Sequence, residues 1–133
     1  MRLTEILKQD QDLNNFIAKT KQVKNSLITG ANAGAFSLLL KQIVSEPNAP
    51  LILIEENESK AQNLYGELNS ILEDDAAHYF PVDATIATQT AVSSPDELSS
   101  RIQSLNFLLS GKPGIVVTTP QGLQYKLSSP ADF

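Results

Sequence analysis

The stretch SPDELSSRIQSLNFLLSGKPGIVVTT, residues 94–119, decides the fold class. Ser94 offers a hydroxyl at an N-cap, Pro95 sits at the first helical position, and Glu97 stands where it can reach back to the cap. Together they form a capping box, which predicts a helix starting at residue 95. Leu98, Ile102, Leu105 and Leu109 recur at helical spacing and predict the buried stripe of that helix. Gly111 and Pro113-Gly114 stop it, and IVVTT (115–119) then reads as a strand buried on both faces. Thr119-Pro120 starts a short last helix through Leu123.

The same alternation runs back toward the N-terminus. AAHYFPV (76–82) is a strand candidate, and LILIEE (51–56) is a continuous apolar run of the kind a doubly covered strand shows. Between them Asn57 can cap a helix whose inner face is Ala61, Leu64, Leu68 and Ile71. Further back, SLIT (26–29) reads as a strand ending at Gly30. Phe36, Leu39, Leu40, Ile43 and Val44 then follow helical spacing until EPNAP (46–50) breaks it. Leu3–Lys8 and Leu13–Lys21 read as short amphipathic helices, the second with Leu13, Phe16 and Ile17 on one side. Asp83 to Ser93 follows neither period and reads as a loop. Strands and helices that alternate with short connections predict an α/β fold, a mainly parallel sheet covered by helices. Residues 1–23 are expected to form a helical segment packing on a domain of residues 24–133.

Composition narrows the function classes. The 133 residues are 41% hydrophobic and 19% charged, with a net charge of −5. An acidic balance of this kind argues against a free-standing nucleic-acid binder, which needs clustered Lys and Arg, and leaves open a domain that lies near DNA inside a larger protein. The absence of cysteine excludes disulfides, thiolate metal sites and a cysteine nucleophile. The N-terminus MRLTEILKQDQDL is too charged for a signal peptide, and no apolar run approaches a membrane span. A cytoplasmic protein with no membrane partner is expected.

The turn TGANAGAF (29–36) stands where a phosphate would sit in many α/β proteins. A phosphate loop of the G-x-x-x-x-G-K-[ST] type needs a lysine and a hydroxyl after its second glycine. Gly30 and Gly34 are one residue too close for that pattern; Ala35 replaces the lysine and Phe36 the hydroxyl. The first lysine downstream, Lys41, lies about two helical turns into the next helix. The candidate site is therefore a degenerate phosphate loop of Thr29, Gly30, Asn32, Gly34, Ala35 and Phe36, with no cofactor and no metal expected. The turn also resembles the T-G-x-x-x-G-x-G turn of short-chain dehydrogenases, with Glu55 as a ribose acceptor. Phe36 occupies the third glycine position, and no Tyr-x-x-x-Lys pair exists: Tyr65, Tyr79 and Tyr125 are followed four later by Asn69, Asp83 and Ser129. Glu55 and Glu56 read as a solvated strand end, His78 as a packed or surface residue, and Asp74-Asp75 as water-facing. No catalytic set can be argued from these spacings.

Taken in order, SLITGANAGAFSLLL, PLILIEENESKAQNLYGEL, AHYFPVDATIA and SSPDELSSRIQSLNFLLSGKPGIVVTTPQGLQ resemble the N-terminal domain of the bacterial transcription-repair coupling factors (Mfd). That domain is itself similar to the first domain of the repair helicase subunit UvrB. The resemblance covers about residues 24–130. It implies a degenerate helicase-like, P-loop-like domain in which Arg101 is the conspicuous arginine of the family's helix. The UvrB-type hairpin that grips DNA would fall at Pro81–Ser93, which holds no aromatic residue to stack on bases. The resemblance further implies a non-catalytic piece of a longer multidomain protein, in a module that recruits UvrA for nucleotide excision repair. Neighbouring domains of the same protein would be its direct partners. ATP, magnesium, DNA translocation and displacement of stalled RNA polymerase would belong to the motor and other regions of that protein.

Overall fold

The computed structural model describes residues 5, 6, 9–44, 50–82, 94–124, 127 and 129. Its elements are α1 (Gln11–Thr20), α2 (Ala33–Val44), β1 (Leu51–Ile54), α3 (Glu58–Ile71), β2 (Ala77–Tyr79), α4 (Pro95–Ser110), β3 (Ile115–Thr118) and α5 (Pro120–Leu123). The predicted Leu3–Lys8 helix lies largely outside the described residues, as does the predicted loop Asp83–Ser93. Among the described residues no helix is long and apolar enough to cross a membrane.

The three strands form a parallel sheet in the order β1-β3-β2. β3, three apolar residues closed by Thr118, takes the centre, where every side chain is buried, as its β-branched run predicts. On one face α2 and α3 cover the sheet, and Leu40, Ala61, Leu64, Leu68, Ala77, Ile115 and Val117 make the main core. On the other face α4 packs on β2, around a smaller core of Phe80, Phe107 and Val116.

The helix ends follow local chemistry. Asp10 accepts from the amides of Asp12 and Leu13 to start α1, and Asn57 accepts from Lys60 to start α3. At α4 both halves of the capping box are present: Glu97 N donates to Ser94 Oγ at 3.2 Å, and Ser94 N donates to Glu97 Oε2 at 3.3 Å. Gly111 closes α4 in the left-handed conformation, φ 66°. Gly114 is needed for a different reason. A Cβ there would run into the Phe107 ring and come within 2.5 Å of the Ala76 carbonyl oxygen.

Three expectations are corrected. SLIT (26–29) forms no strand; Leu27 is 88% exposed and Ile28 42%. Strand identity comes from pairing, and no described strand pairs with these residues. LILI is a strand, but it is an edge strand with Ile52 and Ile54 half exposed, because α4 lies toward β2 and leaves that part of the sheet bare. The stripe predicted to be buried on α4 is instead mostly outside. Leu98, Ile102 and Leu109 are exposed and Leu105 is half-buried, while Arg101, Ser104 and Phe107 face the sheet. Two contacts set that roll. Ser104 is small enough for close approach, and its hydroxyl donates to Tyr79 O at 3.0 Å. Phe107 lays its ring against His78, with centroids 4.3 Å apart.

Candidate functional site

The turn at 29–36 is held by its own side chains. Gly30 has φ 85°, a conformation that favours glycine. Asn32 then caps α2: its Oδ1 accepts from Ala35 N at 2.8 Å and its carbonyl from Phe36 N at 2.9 Å. The sequence reading placed Asn32 only in the degenerate phosphate loop; Asn followed by a helical run was the available signal for the cap. Phe36 packs its ring against the main core, so the residue standing in the hydroxyl position serves as a core member. Thr29, Gly34 and Ala35 are exposed, and a Cβ at Gly34 would meet nothing closer than 3.9 Å.

An open cleft of about 410 Å³ lies beside this turn. One wall is Ala31, Asn32, Ala33 and Phe36; the other is Glu55 together with the Lys60–Glu67 side of α3. Thus the structure brings Asn32 and Phe36 of the predicted site to a common cleft with Glu55, and leaves Thr29, Gly30, Gly34 and Ala35 off its wall. Glu67 is anchored there by Ser37, whose hydroxyl donates to Glu67 Oε2 at 2.8 Å. Lys60 is the cation lining the cleft, and its Nζ is 2.9 Å from Glu56. The hydrogen bond from Lys60, then its charge, hold the Glu56 carboxyl below the usual range. Lys41 points elsewhere and donates to Ile71 O at 2.5 Å, capping the end of α3. The cleft therefore presents two carboxylates, Glu55 and Glu67, and one lysine already paired to a third.

The other singled-out residues are scattered. His78 is buried, its ring tilted against that of Phe107, with Nε2 3.0 Å from Asp75 O, so it is packed as expected. Asp74 and Asp75 are exposed, and Asp75 adopts φ 64°. Arg101 lies buried beneath α4, its Nη2 3.8 Å from Glu97 Oε2. Tyr79 stacks on Tyr65 and donates to Glu58 at 3.4 Å; burial, then the Glu58 charge, push its hydroxyl up to about 12. Among the described residues no group of three or more His, Asp or Glu side chains could hold a metal ion. The inward face of α4 was missed in the sequence, although Phe107 and Leu108 lie off the Leu98–Leu109 stripe and signalled a second apolar direction.

No protein-family model and no solved structure matches the chain. Curated proteins do. The transcription-repair-coupling factor of Bacillus subtilis is 31% identical over 112 residues, 84% of this chain and 10% of that protein. That of Staphylococcus aureus strain RF122 is 28% identical over 130 residues, 96% of this chain and 11% of that protein. A second S. aureus protein of the same name, from strain USA300, is 28% identical over 125 residues, 92% of the chain and 10% of that protein. The chain thus spans about a tenth of the length of the curated relatives it matches. Over most of its own length it is a homologue of one segment of the bacterial transcription-repair-coupling factors.

Proposed function

We propose that the chain is the N-terminal, UvrB-like module of a transcription-repair coupling factor and works there as a scaffold without catalysis. It supports the neighbouring domain that recruits UvrA in transcription-coupled nucleotide excision repair, in the cytoplasm. ATP hydrolysis with magnesium, translocation on DNA and displacement of stalled RNA polymerase fall to regions outside these residues. The observation that carries the reading is the match to coupling factors along 84–96% of the chain. The cleft supports the non-catalytic part. A bound triphosphate needs cations and open amides, whereas this cleft holds Glu55 and Glu67, pairs Lys60 to Glu56, and uses Asn32 to fill the first turn of α2.

The test has two arms. Calorimetric titration of the chain with Mg-ATP, then with NADH and NADPH, is expected to give no saturable heat up to millimolar ligand. Tight binding of any of them would sink the scaffold reading in favour of a nucleotide-binding enzyme, either dehydrogenase-like or a divergent ATPase. The second arm measures UvrA binding to the full-length polypeptide with and without residues 1–133. Unchanged affinity after the deletion would remove the chain from UvrA recruitment.

A further inference from the structure

On the α4 side of the sheet, Ile52 pairs with Val116 and Ile54 with Thr118. In a parallel ladder such partners point the same way, so Ile52 and Ile54 share the face on which Val116 meets Phe107. The helix covers only part of that face. Phe107 reaches over His78 of β2, which fixes the β2 flank of the helix. At about 3.6 residues per turn, Leu98, Ile102, Leu105 and Leu109 lie on the opposite flank, toward β3 and β1. Leu105, at the edge of that stripe, packs on the Val116 cluster, as this orientation requires.

The exposed side chains therefore meet in a corner. The floor is Ile52 and Ile54; the wall is Leu98, Ile102 and Leu109. All five are 42–57% exposed. Five large aliphatic side chains turned to one corner, while Arg101 and Ser104 lie beneath the helix, make a face shaped for protein and not for water.

We infer that this corner is the docking site for a helix of the same polypeptide lying outside residues 1–133, a proposal that rests on the coupling-factor reading. Three features choose that occupant. A sheet floor with a helix wall is the place where a second helix of the layer packs. The matched relatives are about ten times as long as this chain, so nine-tenths of such a polypeptide is tethered to it, at an effective concentration a separate partner does not reach. The charges are graded: Glu55 closes β1 at one end of the corner and, because α4 runs back between parallel strands, Lys112 just past its last turn marks the other. The docking helix carries an apolar stripe and has its basic residues at the Glu55 end.

The test uses the absence of cysteine in these residues. Ile52→Cys, Ile102→Cys and, as a control on the outer side of α4, Gln103→Cys are made in the 133-residue chain and in the full polypeptide expressed from the same gene. Alkylation rates are read peptide by peptide by mass spectrometry. Cysteines at 52 and 102 are expected to react about tenfold or more slowly in the long polypeptide than in the short chain, while that at 103 reacts equally in both. An Ile54→Glu, Ile102→Glu pair, with Ile52→Cys as reporter, should restore fast labelling in the long form and leave the short chain folded. Fast labelling at 52 and 102 in both forms would overturn the docking site while leaving the coupling-factor reading intact. Slowing in the short chain that grows with its concentration would assign the corner to a second copy and overturn the proposal. A gene product no longer than these residues would remove the occupant and the coupling-factor reading together.

Discussion

Replacing Gly114 with alanine puts a methyl group where the backbone has left no room. The new Cβ would lie 2.5 Å from Ala76 O, about 0.9 Å inside the 3.4 Å at which ordinary contact begins. That oxygen cannot step aside cheaply, because it accepts the hydrogen bond from Ile115 N at 2.8 Å that leads the chain into β3. The same methyl would also strike the Phe107 ring, itself wedged against His78. Overpacking of this kind costs about 1–3 kcal/mol, and a backbone partner puts it at the upper end, about 3 kcal/mol. At about 2.1 cal/mol/K per residue the unfolding entropy of the 133-residue chain is about 0.28 kcal/mol/K, so the midpoint should fall by roughly 11 °C. Thermal unfolding followed by far-UV circular dichroism measures this. A second variant, Gly114→Ala with Phe107→Leu, should be less destabilised than the sum of the singles by about 1 kcal/mol, because the shorter side chain relieves one collision. It should not return to the parent value, since Ala76 O remains. A Gly114→Ala midpoint within about 2 °C of the parent, or strict additivity in the double variant, would refute the packing argument.

Three further outcomes are expected. Tyr79 keeps its neutral phenol in the folded chain, so its stabilising contribution is complete below the ordinary pKa near 10 and is lost as pH rises toward about 12. An absorbance titration should show a late phenol step that vanishes in Tyr79→Phe; a high-pH end of the curve left unchanged by that substitution would contradict it. Ser94→Ala should cost about 1 kcal/mol through the lost cap. Glu97→Ala should cost more, about 2 kcal/mol, because it also takes a carboxylate from beside the buried Arg101, and chemical denaturation that ranks the two the other way would reject that pairing. Leu68→Ala, at the fully buried centre of the main core, should lose about 3 kcal/mol; a loss under about 1 kcal/mol in the same assay would mean that Leu68 is not the core residue its burial indicates.

Much of this architecture is legible in the sequence because it is written in local chemistry. The capping box at Ser94–Glu97, the Asn57 cap, the Gly111 stop and the unbroken IVVT run each act within a few residues, and each sits where its own physics places it. What local pattern does not carry is what each element meets. The Leu98–Ile102–Leu105–Leu109 stripe is a sound helical period, and the helix is there. Which side of it faces the sheet is decided by Ser104 reaching Tyr79 O and Phe107 reaching His78, contacts between residues 25 to 29 positions apart in the chain. SLIT has the composition of a strand and no described partner, and LILI is a strand whose outer face has no cover. At the candidate site, the replacement of the phosphate-loop lysine by Ala35 is visible in the sequence; the Asn32 cap, and the Glu55 and Glu67 carboxylates on the wall across the cleft from it, emerge only in three dimensions.

The edge of the sheet at β1 has a consequence for how the chain behaves in solution. Leu51–Ile54 offers about 13 Å of strand to which no described residue pairs on its outer side, the sort of rim that recruits strands from other molecules. Pro50 stands at its first rung with no N–H to give, and Glu55 and Glu56 set charge at its last. The rim is short, blunted at one end and charged at the other. Features of this kind act as gatekeepers against fibre growth. Exchanging Pro50 and the two glutamates for β-branched residues would leave every core contact in place and turn the rim into a seed.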